Sequence, residues 1–203
     1  MLVVGITGGI GSGKTEVCDF FSNHGAQVLS ADLIAKNIMD TNSTIKNKIK
    51  RSFGNQIIQA DGVVNKKRLA ALVFTNPSLK KDLNKIVHPS VLDYLSKKIR
   101  TFKKSGKSKL LVIEAALIYE AKVENMFDYI VVVDAPIRLR TMRIMKRDNV
   151  NRTEVLNRMR AQIDTSQKVK QGDIVIYNIG DFSSLRMSCQ FVYHLLCKIS
   201  NQG

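Results

Sequence analysis

The sequence predicts a doubly wound α/β fold: a parallel five-stranded sheet with a helical insertion subdomain and a helical lid. Three observations carry this reading. Five apolar runs are continuous rather than alternating, as strands covered on both faces are. Helical patterns separate these runs, as right-handed crossovers onto one parallel sheet require. The first run leads through "GGIGSGKT", residues 8–15, into an amphipathic helix, which is a strand–loop–helix unit of the phosphate-binding kind.

The elements follow in order. "MLVVGIT" is the first strand, and the next helix carries Val17, Phe20 and Phe21 on one face. "AQVLS" (26–30), "KLLVIEA" (109–115), "DYIVVVDA" (128–135) and "DIVIYN" (173–178) are the other strands. Between the second and third lies an insertion, about residues 36–106, expected to be wholly helical. Ile45, Ile49 and Phe53 share a face there, and Asn65 is placed to cap a helix carrying Leu69, Leu72 and Val73. Leu79, Leu83, Ile86 and Val87 form a further stripe, after which Pro89 restarts the chain before Val91, Leu92, Leu95, Ile99 and Phe102. The insertion is too long for a simple crossover and reads as an acceptor-side subdomain.

Pro136 opens a helix that runs through Arg147. The polar stretch at 148–171 contains Arg152, Arg158, Arg160, Lys168 and Lys170, with Thr153 as its expected cap. It is either a solvated surface helix or a lid that brings arginines onto phosphates. Leu185, Cys189, Val192, Leu196 and Ile199 are in register on a last helix. The core is then residues 1–35, 107–147 and 172–203, the insertion 36–106 and the lid 148–171.

The net charge of +15 raises nucleic-acid binding as a class. The densest run, "KKIRTFKKSGKSK" at 97–109, has little aromatic interleaving, whereas a single-strand surface needs it. It reads as a solvated helix end, and no nucleic-acid partner is expected. No apolar stretch is long enough to span a bilayer, and no signal peptide is legible. Cys18, Cys189 and Cys197 have no metal-ligand spacing and fall in helical patterns. The expectation is a cytoplasmic protein with reduced core thiols, a monomer, with an oligomer left open.

The loop supplies the chemistry. Gly8, Gly11, Ser12 and Gly13 let backbone N–H groups turn inward. The helix start adds its positive dipole end. Lys14 reaches the β- and γ-phosphates, the Thr15 hydroxyl ligates Mg²⁺, and the Glu16 N–H meets the α-phosphate. A triphosphate, ATP, is the expected ligand. A GTPase would show N-K-x-D, but "NKKR" (65–68) and "NKIV" (84–87) both lack the aspartate. A motor would need more chain. Small size, a helical insertion and an arginine-rich lid favour a small-molecule kinase of the P-loop type. Two other classes stay open at this point: a nucleoside or shikimate-type kinase, and a non-catalytic ATP-binding module.

The motifs "GITGGIGSGKT", "VLSADLIAK", "VHPSV", "ALIYE", "KRDNV", "RMRAQ" and "DIVIYNIG" follow one another in the order and spacing of bacterial dephospho-CoA kinases. The chain resembles that family over nearly its whole length. The resemblance implies transfer of the ATP γ-phosphate to the 3′-hydroxyl of dephospho-CoA, the last step of coenzyme A synthesis. There are departures: "SAD" replaces D-A-D, so Ser30 stands for the first aspartate; Ala116 stands for a proline before the retained Glu120; and Lys66 stands where an arginine is common.

The expected catalytic residues are Lys14, Asp32 and Arg143. Asp32, just past the second strand, can take the proton of the acceptor hydroxyl; it can also cap "LIAKNIM" or hold a water on Mg²⁺. His88 is either a turn histidine or, as the resemblance implies, an acceptor contact. Glu114 ends the third strand; it is a candidate outer carboxylate for Mg²⁺, acting through water, or equally a plain strand-end residue, and it ranks below Asp32. Glu120 is a helix ion pair or, by the family pattern, an acceptor-side ligand. Arg143 and Arg147 lie four apart on one face, suited to phosphate oxygens or to surface charge. By resemblance, Arg158 is the lid arginine on the substrate side. By the same route, Asn178 and Gly180 lie by the adenine.

Overall fold

A computed structural model describes residues 1–106 and 108–202. The expected boundary at residue 107 and the final residue, 203, lie outside the described residues. Contacts divide the chain into two compact units, Met1–Ser30 with Lys98–Gly203, and Ala31–Lys97. These divisions fall some residues before the 35/36 and 106/107 boundaries expected above.

The first unit holds the sheet. Its strands are β1 (Leu2–Gly8), β2 (Gln27–Ser30), β3 (Leu110–Glu114), β4 (Tyr129–Asp134) and β5 (Ile174–Tyr177). They are all parallel, in the order β2-β3-β1-β4-β5. Side chains alternate between faces, as the pleat requires. Val4, Ile6, Val131, Val133 and Ile176 pack against α1 (Lys14–Asn23) and α9 (Phe182–Ser200), where they meet Val17, Phe21, Leu185, Cys189, Val192 and Leu196. On the other face Ile130 and Val132 pack with Ile118, Tyr119 and Phe127. Ile163 and Val169, from the polar stretch, also join this second cluster.

The rest of the first unit is α6 (Ile137–Asp148), α7 (Arg152–Arg160) and α8 (Thr165–Gln171). Asn151, not Thr153, caps α7, accepting from the Glu154 N–H at 2.9 Å. A cap must stand outside the helix with its side chain turned back over the first turn; Thr153 already lies inside. The stretch is not a solvated helix, because Val155, Thr165 and Lys168 are buried.

The second unit carries α2 (Ala31–Thr41), α3 (Ser43–Phe53), α4 (Lys66–Thr75) and the first part of α5 (Pro77–Ser105). Ile45, Ile49 and Phe53 are buried, as their spacing predicts, and Asn65 caps α4 through the Arg68 N–H at 3.0 Å. Two expectations are corrected. The insertion is not wholly helical: an Ile58–Val64 bridge closes a turn over Asp61–Gly62. Asp61 accepts the Val63 N–H at 3.0 Å and Gly62 takes φ 78°, the local chemistry that makes this dipeptide a turn. Pro89 does not restart the chain but lies inside α5. Val87, Val91 and Leu95 are buried at unbroken four-residue spacing across it, so packing outweighs the lost backbone hydrogen bond.

Candidate active site

The glycine-rich loop connects β1 to α1 at the carboxyl edge of the sheet, where α/β sheets place their ligands. Gly13 takes φ 99°, and a Cβ there would collide with the Asn178 side chain. Ser12 N–H closes a turn on Gly9 O at 3.1 Å. Lys14 lies back along the loop, its Nζ donating to Gly8 O and Gly9 O, both at 3.2 Å. Thr15 Oγ1 donates to Glu114 Oε1 at 3.2 Å. Register places Glu114, at the end of β3, opposite Ile6 of β1 and Ser30 of β2, which brings this carboxylate to the foot of the loop. Glu114 ranked below Asp32 on sequence grounds, and its carboxylate touches the end of the loop through Thr15.

Side chains from α6 and the end of β5 hold the loop from outside. Arg143 donates through Nη1 to Gly11 O and Ser12 O at 3.5 Å, and through Nη2 to Asn178 Oδ1 at 3.1 Å. Asn178 is buried and donates to Ser12 O at 2.9 Å. Its side chain therefore faces the loop rather than outward, and Gly180 follows it two residues on. Arg140 reaches Thr165 Oγ1 at 2.8 Å, and its guanidinium fills the space that a side chain on Gly9 would need. Burial lowers the pKa of Arg140, while Asp134 and Asp164 act to keep it charged.

The remaining arginines meet an aspartate that sequence reasoning missed. Asp148 accepts from Arg147 Nε and from Arg158 Nη1, each at 2.7 Å. Hydrogen bonding from Arg147, then its charge and Arg158, hold the Asp148 carboxyl below the usual aspartate range against the cost of burial. Asp148 thus keeps two of the expected phosphate-side cations together.

Glu120 lies in an ion pair. Its Oε1 stands 2.8 Å from Lys168 Nζ and accepts the Ile163 N–H at 3.0 Å. Lys168 is fully buried and also donates to Ala116 O at 2.7 Å. It is therefore not among the cations of residues 148–171 that are open to phosphate. The contact at Ala116 is to a backbone carbonyl, which a proline there would supply equally.

Asp32 and His88 belong to the second unit. Asp32 is exposed in the first turn of α2, where a carboxylate complements the helix dipole. His88 is half-buried on α5, and burial lowers its pKa. Lys66 forms an ion pair with Asp40.

Two residues of the site escaped the sequence reading besides Asp148: Arg140 and Gln162, whose Oε1 accepts the Ile10 N–H at 3.0 Å. Arg140 had one available signal, its place three residues before Arg143 on the same helical face. Among the described residues, no cluster of His, Cys, Asp or Glu is large enough to form an all-protein metal site, and no helix is long and apolar enough to cross a membrane.

A glycine-rich phosphate loop at the carboxyl edge of a 2-3-1-4-5 parallel sheet, flanked by the arginine-bearing α6, defines a P-loop kinase. The family model described as dephospho-CoA kinase matches residues 2–183. A dephospho-CoA kinase of Bacillus licheniformis is 36% identical over 179 residues, covering 88% of this chain and 89% of that one. A crystal structure of a Thermus thermophilus protein, 31% identical, superposes with a TM-score of 0.78 over 96% of this chain and 97% of its own. The structure of dephospho-CoA kinase from Campylobacter jejuni gives 0.72 at 27% identity, covering 97% of both chains. The chain belongs to the dephospho-CoA kinase family.

Proposed function

We infer that the protein transfers the γ-phosphoryl group of ATP to the ribose 3′-hydroxyl of dephospho-CoA, giving coenzyme A and ADP. The family match supports the acceptor. The observation that carries the phosphoryl chemistry is the loop itself, with Lys14 and the Thr15–Glu114 pair at its two sides.

The following roles are proposed. Backbone N–H groups from Gly11 to Glu16 receive the α- and β-phosphates. Lys14 leaves the Gly8 and Gly9 carbonyls for β- and γ-oxygens. The 3′-oxygen attacks the γ-phosphorus as the bond to the ADP oxygen breaks, and the 3′-proton passes to Asp32. Arg143, Arg147 and Arg158 balance charge on the transferring group. His88 and Glu120 serve the acceptor side, Glu120 by fixing Ile163 through its backbone. Asn178 and Gly180 border the adenine.

The Thr15 hydroxyl and the Glu114 carboxylate are hard oxygen donors that suit Mg²⁺. They would hold the ion, directly or through water. When bound, it would neutralise charge on the β- and γ-oxygens.

The three cysteines are all free, which suits a reducing cytoplasm. The test is a panel of acceptors with ATP and Mg²⁺: dephospho-CoA, pantetheine, nucleosides and shikimate. ADP release should depend on dephospho-CoA and leave phosphate at the ribose 3′ position. Turnover of a nucleoside or shikimate, with none on dephospho-CoA, would overturn the assignment.

A further inference from the structure

Gln162 stands at the corner between α7 and α8, over the crown of the phosphate loop. The Ile10 N–H can only donate, so the amide oxygen must face it. That orientation turns Nε2, with its two hydrogens, away from the backbone. The corner is fixed from behind at two further points. Ile163 N–H donates to Glu120 Oε1 at 3.0 Å, and Glu120 is tied to the buried Lys168. Thr165 Oγ1 accepts from Arg140 at 2.8 Å, and Arg140 lies against Gly9. Residues 162–165 are thus strapped across Gly9 and Ile10.

Lys14 marks which end of the loop this is. Its ammonium, the group that meets β- and γ-oxygens in such loops, rests on Gly8 O and Gly9 O. The neighbouring N–H, that of Ile10, is the one Gln162 occupies. With the α- and β-phosphates on the N–H groups from Gly11 to Glu16, as proposed above, the γ-phosphoryl group falls at the Gly9–Ile10 end of the loop, beside Gln162.

We propose that Gln162 is a further catalytic residue: with Oε1 anchored on the Ile10 N–H, its Nε2 donates to a γ-phosphoryl oxygen and fixes that group for attack. A neutral donor suits this place, since Lys14 already supplies charge there. The rigid strap means that the donor is positioned before the nucleotide binds, so its ordering cost is met on folding. The proposal rests on the phosphotransferase reading above.

Gln162→Glu separates this role from a merely structural one. A carboxylate still accepts the Ile10 N–H but has no donor to offer and repels the γ-oxygens. Wild type and variant are compared by calorimetric binding of ADP and of a non-hydrolysable ATP analogue, by kcat and KM, and by thermal melting. The melt and the ADP affinity should hold within about two-fold. The analogue affinity and kcat should fall by about ten- to hundred-fold, the range for a hydrogen bond to a charged group. An unchanged kcat, or an ADP affinity that falls as far as the analogue's, overturns the proposal. If the glutamate variant does not fold, Gln162→Met is put through the same ADP-against-analogue comparison and is judged by the same two outcomes. A wild type that binds both nucleotides but does not turn over dephospho-CoA sinks the acceptor assignment instead, and the binding comparison still decides the role of Gln162.

Discussion

Replacing Lys168 by methionine probes the ion pair beneath the strap. The lysine stem is fully buried, and its ammonium stands 2.7 Å from Ala116 O and 2.8 and 3.1 Å from the two Glu120 oxygens. Methionine keeps the apolar stem and most of the volume. It leaves Glu120, whose side chain is 18% exposed, with only the Ile163 N–H among these partners, and it strips the Ala116 carbonyl of its donor. Removing one partner of a buried pair costs about 3–5 kcal/mol. For a chain of this size about 1 kcal/mol moves Tm by roughly 2–4 °C, so the melt should drop by about 6–20 °C. That is a large part of the ~5–15 kcal/mol that holds a typical domain together. Urea unfolding at neutral pH, followed by circular dichroism, measures the loss directly. The double variant Lys168→Met/Glu120→Leu should be more stable than Lys168→Met alone, because no charge is left stranded. A loss below about 1 kcal/mol for the single variant, the value of an exposed pair, would refute the reasoning.

Three other outcomes are expected. Lys14→Ala should keep its fold and lose about 10²–10³ in kcat; a folded variant with near-wild-type turnover means that this loop is not the working phosphate site. Asp32→Asn should leave the melt unchanged and lower kcat by about 10²–10⁴, towards the low end if proton transfer is late. A change confined to the KM for dephospho-CoA would make Asp32 an acceptor-binding group only. Asp148→Asn tests a pH dependence. The Asp148 carboxyl is held below its ordinary value when folded, so its contribution is fully present above the unfolded aspartate range, about pH 4, and is lost as pH falls through the folded value. The stability gap between wild type and Asp148→Asn should be level from pH 8 to 5 and close below about pH 4. A gap that widens in acid contradicts the assignment.

The parts of the site legible in the sequence are those whose chemistry is local. Gly8 to Thr15 announce themselves because loop, lysine, hydroxyl and flanking elements lie within a few residues of one another. The inner strands β1, β3 and β4 are legible because each is buried on both faces, and the edge strands β2 and β5, only partly buried, are legible as short apolar runs. Partnerships across long stretches of chain are not. Nothing near Ile10 points to Gln162, and nothing in "SQKVKQ" distinguishes the buried Lys168 from the exposed Lys170; α8 is seven residues long and mostly polar. Asp148 reads as the acid end of a basic helix until Arg158 is seen folded back onto it. Pro89 shows the opposite failure: a strong local signal is overridden by an apolar stripe that continues through it.

The strand order has a consequence for how the chain is made. β1 precedes β3 and β4 in the chain, yet it is the central strand of the sheet, with β3 on one side and β4 on the other. Leu2 has no strand partner until Leu110 exists, an interval of roughly 5–20 s at common rates of synthesis. For that time an apolar segment and the glycine loop behind it wait unpaired. The crown of the loop waits longer, until Gln162 has been added. The two sides of the loop's crown are thus synthesised far apart in time. Substitutions that slow the docking of β3 or β4 prolong the exposure of β1, and their damage would be seen as aggregated new chains even where the finished enzyme is sound.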